Sequence, residues 1–477
     1  MSLPSYAKSE AIRDEIHHND TLPEEILCMI FDLLDLHSVK NASRTCQRWN
    51  NIIFCSGYVN RFSFSMRDLL VPPGQESFWN LQCAQEQNPQ MHHLAMEQFR
   101  GMVVRSKRCY RNLKCTIDDV ARFSSLWETL NSKFKNDLQS LVINVTNDAV
   151  HVLPLITAAI PLMTQLRSLT LKECGMNHYL YYVYEVPTFR SNSVKHFEIQ
   201  PDIKINIEMP ELESFHGVLP INFLSFRPSN MKQLTVKIIE KDYLDQEADP
   251  IDSLNIRGMI LLETLKWEIE VEDESFLAIC ETCTKLKDLC FTKRMIISNS
   301  DVFSNLNKLV NLRRLKFQNY YESLSFYIDL SKLTELEEID LGMMAKEGVK
   351  LPKSIKMFAV EICLENQQSM IESLFDPELI ELKTLQLSFH HSIVNKREFF
   401  ERLPLLKNLE ELTFAGGYYT ESEFLCLNAP MDRLRKLKFE MYLLNVQRFL
   451  GIEEKFPNLI NLEFFNNGLN EVVSLIG

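Results

Sequence analysis

"LRRLKF", residues 312–317, sets three large apolar side chains, Leu312, Leu315 and Phe317, among charged neighbours. Leu315 and Phe317 alternate with Arg314 and Lys316, the period of a short strand with one buried face. A strand of this length is not stable alone, so its meaning depends on what repeats around it. The same spacing recurs as LQSLVI at 138, LRSLTL at 166, VKHFEI at 194, LESFHG at 212, MKQLTV at 231, LETLKW at 262 and LKDLCF at 286. It continues as LEEIDL at 336, IKMFAV at 355, LKTLQL at 382, LEELTF at 409, LRKLKF at 434 and LINLEF at 459. In a chain that is 45% apolar, chance alone would scatter on the order of 40 such triplets, so no single match decides anything. The spacing decides. Successive copies lie 18 to 31 residues apart, averaging about 25. No copy can bury its own apolar edge, so the copies must stack on one another.

Two copies add a further feature. "LRSLTLKEC" follows Leu166, Leu169 and Leu171 with Cys174, and "FLAICETCTKLKDLCF" sets Cys283 three residues before Leu286. With these residues the repeating region resembles the leucine-rich repeat family, although most copies lack Asn or Cys at the turn. The resemblance implies a curved solenoid with a parallel sheet on the concave face and helices or loops on the convex face. It would span residues 110–477 as about 14–15 degenerate repeats, with "YRNLKCTI" at 110 as a first copy and "VNRFSFSM" at 59 as a capping strand. The outward positions of each strand would then form the substrate-binding face. These are Arg314, Lys316, Gln318, Glu338, Asp340, Gln386, Glu411, Lys436 and Lys438, with Thr384, Ser388, Thr413 and Glu440 beside them.

The N-terminal part follows a different pattern. "LPEEILCMIFDLLD", residues 22–35, packs Ile26, Leu27, Ile30, Phe31, Leu33 and Leu34 into one helical segment, with Thr21 and Glu24 spaced as a capping box and Pro23 in the first turn. In "SVKNASRTCQRWNNII", Val39, Ala42, Cys46, Trp49 and Ile53 fall on one helical stripe. Two or three helices in about 40 residues cannot hide this much apolar surface without disulfides, metal or association. Residues 22–53 resemble the F-box motif in Leu-Pro, the acidic residue, Ile-Leu, Ile-Phe, Leu-Asp-Leu, Ala-Ser, Cys and Arg-Trp at matching spacing. The resemblance implies a three-helix module over residues 21–62 that binds a Skp-type adaptor, and through it a cullin–RING ubiquitin ligase. The contact residues it implies are Leu22, Pro23, Ile26, Leu27, Ile30, Phe31 and Leu34, with Val39, Cys46 and Trp49 shared between partner and internal packing. Residues 1–20 then read as a flexible segment, and 63–109, rich in Pro, Gln and Asn over its middle, as a junction.

Composition narrows the function classes. A net charge of −13 gives no field for nucleic acid or an anionic membrane, and only 13 glycines disfavour a phosphate-cradling loop. Residues 1–20 lack a signal-peptide core, and no run of about 18 apolar residues occurs. The 12 cysteines are scattered singly, several inside apolar runs, so the expected compartment is cytoplasm or nucleus with reduced thiols. The C-x-x-C at Cys280 and Cys283 has no second ligand pair at zinc spacing, and the adjacent pairs His17-His18, His92-His93 and His390-His391 cannot chelate alone. No G-x-S-x-G, H-E-x-x-H or Walker motif is present. The fold class expected is α/β, without catalysis, cofactor or metal of its own. The function expected is a substrate-recognition subunit of a Skp–cullin–F-box ligase, with an adaptor-bound or free interaction scaffold as the alternative.

Overall fold

The computed structural model describes residues 22–55, 58, 62–66, 89–106, 110–117, 120–145, 152–173, 186–223, 229–237, 253–317, 327–342, 347–389, 396–416, 426–441, 452–466 and 469–474. The chain divides into two compact units, residues 1–169 and 170–477.

The first unit opens with three short helices, α1 (Glu24–Asp32), α2 (Leu36–Ala42) and α3 (Gln47–Cys55). Pro23 itself is the N-cap of α1 and no side chain caps it. The capping box is therefore corrected: its Thr21 lies outside the described residues, and Glu24 and Glu25 instead place charge against the positive end of the helix. Asp35 caps α2 by accepting the Ser38 amide at 2.6 Å, and those hydrogen bonds hold its carboxyl below its ordinary value. The single stripe read across 38–53 is interrupted: α2 ends at Ala42 and α3 begins at Gln47, with Ser43 and Thr45 hydroxyls donating to the Lys40 and Ala42 carbonyls in the turn between. The break turns Cys46 out to solvent.

The segment read as a junction contains β1 (Ser63–Met66) and a helix, α4 (Pro89–Arg105). β1 pairs in parallel with β2 (Asn112–Ile117), which pairs with β3 (Ser140–Val145). α4 meets α5 (Val120–Phe134) through Arg100, whose guanidinium donates to Thr129 Oγ1 at 3.3 Å. Pro and Gln made 89–105 look like loop. Yet its last turns carry Phe99 and Val103 four apart, both buried, and that pair anchors this end of the helix.

The second unit is one in-register ladder. Strands His196–Ile199, Ser214–Val218, Gln233–Lys237, Thr264–Glu268, Asp288–Phe291, Arg314–Phe317, Glu338–Asp340, Met357–Ile362, Thr384–Phe389, Glu411–Ala415, Lys436–Met441 and Asn461–Asn466 pair successively in parallel. Leu469–Ser474 closes it antiparallel. Register aligns Phe197, Phe215, Leu234, Leu265, Leu289, Leu315, Ile339, Phe358, Leu385, Leu412, Leu437 and Leu462 in one buried column. A second column holds ring stacks such as Phe291–Phe317 and Phe414–Phe439, each with centroids 5.7 Å apart. The weak copy at 212 has Gly217 at this column because a side chain there would run into Ile199 of the preceding strand.

Two further columns flank the core. The residues directly after the first apolar position are mostly charged, and several pair between copies: Lys195 and Lys232 with Glu213, Lys287 with Glu263, Lys356 with Glu337, and Lys383 with Glu410. Directly before that position, Asn311, Asn408 and Asn458 donate to the Thr284, Ile380 and Asp432 carbonyls of the preceding copy. Exposed ion pairs contribute about 0.2–1 kcal/mol each, whereas each buried Leu or Phe contributes about 1.5–3 kcal/mol. The buried columns set the register. The asparagines stand before the strand, on the same side as Cys283 before Leu286, and Cys174, read after its strand, lies outside the described residues.

Candidate functional site

The three helices share a core of Leu27, Phe31, Val39, Ala42, Ile52, Ile53, Phe54, Tyr58 and Phe62, with Leu22, Cys28, Trp49 and Tyr110 against it. The rings link edge to face: Phe31 lies 5.2 Å from Trp49 and 5.8 Å from Tyr58. Phe54 lies 6.4 Å from Tyr110, and Tyr110 lies 5.1 Å from Phe64 of β1. The module thus finishes its core with the chain that follows it. The Arg48 guanidinium donates to the Leu22 carbonyl and pins the Leu-Pro entry against α3.

Of the ten docking residues the sequence named, Leu27, Phe31 and Val39 are at most 2% exposed and form this internal core. They are withdrawn from the docking set, because a buried side chain has no surface to offer. Leu22 and Trp49 are half-buried, while Pro23, Ile26, Ile30, Leu34 and Cys46 face outward. Three further apolar residues that the sequence reading left out join them: Met29, Leu36, and Leu33, which is 88% exposed. Their signal was present in the helical period. With Leu27 and Phe31 inward, positions 26, 29, 30 and 33 must lie on the other side.

Residues 19–61 match the F-box-like family model. No curated protein matches the chain. The F-box-like module therefore has two apolar faces, one spent on its own core and one left in water. Exposed contiguous apolar surface of this kind marks an interaction site. An F-box is a non-catalytic adaptor-binding module, and a Skp-type adaptor is the partner it implies.

In the second unit, register gathers the nominated face residues into two neighbouring outward columns. Arg314 lies beside Glu338, and Glu411 beside Lys436. Lys316 lies beside Asp340, with Gln386 and Lys438 in the same column. Gln318 is outside the described residues. The cations are not free: Arg314 is bound to Asp288, Lys316 to Asp340 at 2.9 Å, Lys436 to Glu463 at 3.6 Å and Lys438 to Glu440 at 2.6 Å. The positive charge of Arg314, Lys316, Lys436 and Lys438 is thus compensated within the sheet.

Among the described residues no group of three metal-binding side chains occurs, and the cysteines at 28, 46, 115, 280, 283, 290, 363 and 426 are free. Cys283 ends the helix Asp273–Thr282, and burial pushes its thiol up to about 12. His17-His18 and His390-His391 lie outside the described residues, as do the side chains of His92-His93. No described helix is long and apolar enough to cross a membrane.

Proposed function

We propose that this chain is the substrate-recognition subunit of a Skp–cullin–F-box ubiquitin ligase. The observation that carries the reading is the coincidence of the F-box-like match with an outward apolar stripe on α1. Ile26, Met29, Ile30, Leu33 and Leu34 dock the adaptor. The second unit is a leucine-rich-repeat-type solenoid whose outward columns hold the target protein, and the ligase core brings the charged E2 to its lysines. The chain contributes proximity, and the bond chemistry belongs to other subunits. Buried or free thiols and the repeat architecture agree with a reducing compartment, cytoplasm or nucleus.

Burying three or four of the exposed side chains at about 1.5–3 kcal/mol each suffices for a stable complex after association costs. The test is co-purification of a Skp-type adaptor with the full chain and with Ile30→Asp/Leu33→Asp. The expected result is loss of the adaptor from the variant with unchanged melting. An adaptor retained by the variant sinks the assignment. Accumulation of bound proteins on ligase inhibition then separates a degradative role from a scaffold.

A further inference from the structure

Within the first unit a groove of about 890 Å³ opens between α2 and β1. His37, Lys40 and Arg44 line one side of it, and Leu36, Phe64 and Tyr110 supply apolar lining. In a chain of net charge −13, none of its twelve lining residues is acidic. Lys40 and Arg44 are exposed and form no ion pair among the described residues. Asp35, two residues before His37, is already committed to the Ser38 amide.

We propose that this groove binds an extended acidic peptide segment of a partner protein. Three observations select that occupant. The charge is one-sided, which favours and orients a negative chain. Two cations, Lys40 and Arg44, stand four residues apart along α2 and its C-terminal turn with the His37 ring three residues before Lys40, a strip of about 10 Å, the reach of three or four residues of extended peptide. Finally, β1 is an edge: among the described residues it pairs on one side only, with β2, and Ser63 and Ser65 of that strand also line the groove. An incoming strand gains main-chain hydrogen bonds along such an edge and drops alternate side chains into the groove. The half-buried rings of Phe64 and Tyr110, 5.1 Å apart, form the seat for one aromatic or aliphatic side chain. A free phosphate would use the cations and leave the edge and the rings unused.

The test titrates the full chain with a fluorescent dodecapeptide of Glu and Ser carrying one central Phe, beside the same peptide with Lys for Glu and another with Gly for Phe. No adaptor is added, so the outcome is independent of the adaptor reading. The Glu/Phe peptide should bind about tenfold or more tighter than either control, and Lys40→Glu/Arg44→Glu should weaken it about tenfold. Both positions are exposed, and Lys40→Gln/Arg44→Gln serves should the reversal unfold the module. Equal binding of the Glu and Lys peptides, or unchanged binding to the folded variant, overturns the proposal. So does equal binding of the Gly peptide with full displacement by inorganic phosphate, which makes the groove an anion site. A dimer that the double variant dissociates, with no peptide binding, assigns the groove to a second copy and equally overturns it.

Discussion

Leu33 and Leu315 are the same side chain with opposite fates. Leu33 follows α1 as its C-cap at 88% exposure, while Leu315 sits in the ladder at 1%. Both belong to segments dense in large apolar residues, so composition does not separate them. What separates them is the supply of neighbours. Every interior strand of the ladder meets a near-copy of itself on each side, and the apolar column of one covers that of the next. The three helices have no copies. They cover one face with Trp49, Tyr58, Phe62 and Tyr110, and the other face stays open. A repeat completes its own core; a lone module needs a partner.

The sharpest test of that contrast is to cut the ladder. Phe317→Ala removes a ring stacked on Phe291 and should cost about 3–5 kcal/mol by denaturant unfolding. A cost under about 1 kcal/mol would mean that the column is not a shared core. Ile30→Asp/Leu33→Asp is the counterpart on the open face. It should change unfolding by at most about 0.5 kcal/mol, yet remove about 2 kcal/mol or more of adaptor affinity in a binding titration, roughly 30-fold. Equal destabilisation by the two would erase the distinction drawn here. Asn311→Ala cuts one clamp between copies, and about 0.5–1.5 kcal/mol should disappear from the ladder's unfolding without touching adaptor affinity.

A smaller effect is carried by pH. Hydrogen bonds from Lys195 and Lys232 hold Glu213 at about 2, below its ordinary 4.5. A carboxyl depressed on folding stabilises above its unfolded value, so this contribution is complete above pH 4.5 and fades as pH falls toward 2. Glu213→Gln should therefore flatten that acid limb by less than about 1 kcal/mol, since both amines reach solvent. The last comparison is chemical. A maleimide reagent should label exposed Cys46 quickly and leave buried Cys115 and Cys283 unmodified until the chain unfolds. Prompt labelling of Cys283 would contradict the packing of its repeat.

Much of the ladder was readable in sequence because its signal is local and repeated. The triplet at 312 becomes the strand Arg314–Phe317, and the copies on either side stand at the aligned positions of its neighbours. The charged residues after the first apolar position were also present in the string, but their pairing across 18 to 27 residues became visible only with register. Face assignment within the helices was less readable. Leu27 and Ile26 are adjacent and equally apolar, and only Phe31, Trp49 and Tyr58 determine which turns inward. Helix α4 was missed because Pro89, Gln90 and Gln98 masked an apolar pair that Phe99 and Val103 form one turn apart.

The sequence by itself determined that this protein has a short apolar helical module followed by stacked strand repeats, since period and spacing are properties of neighbouring residues along the chain. Tertiary structure alone decided which apolar residues remain in water, which lysines are already paired, and that α2 and β1 enclose a basic groove. Those are properties of residues far apart in sequence, such as Lys40 and Tyr110, and no periodicity encodes the distance between them.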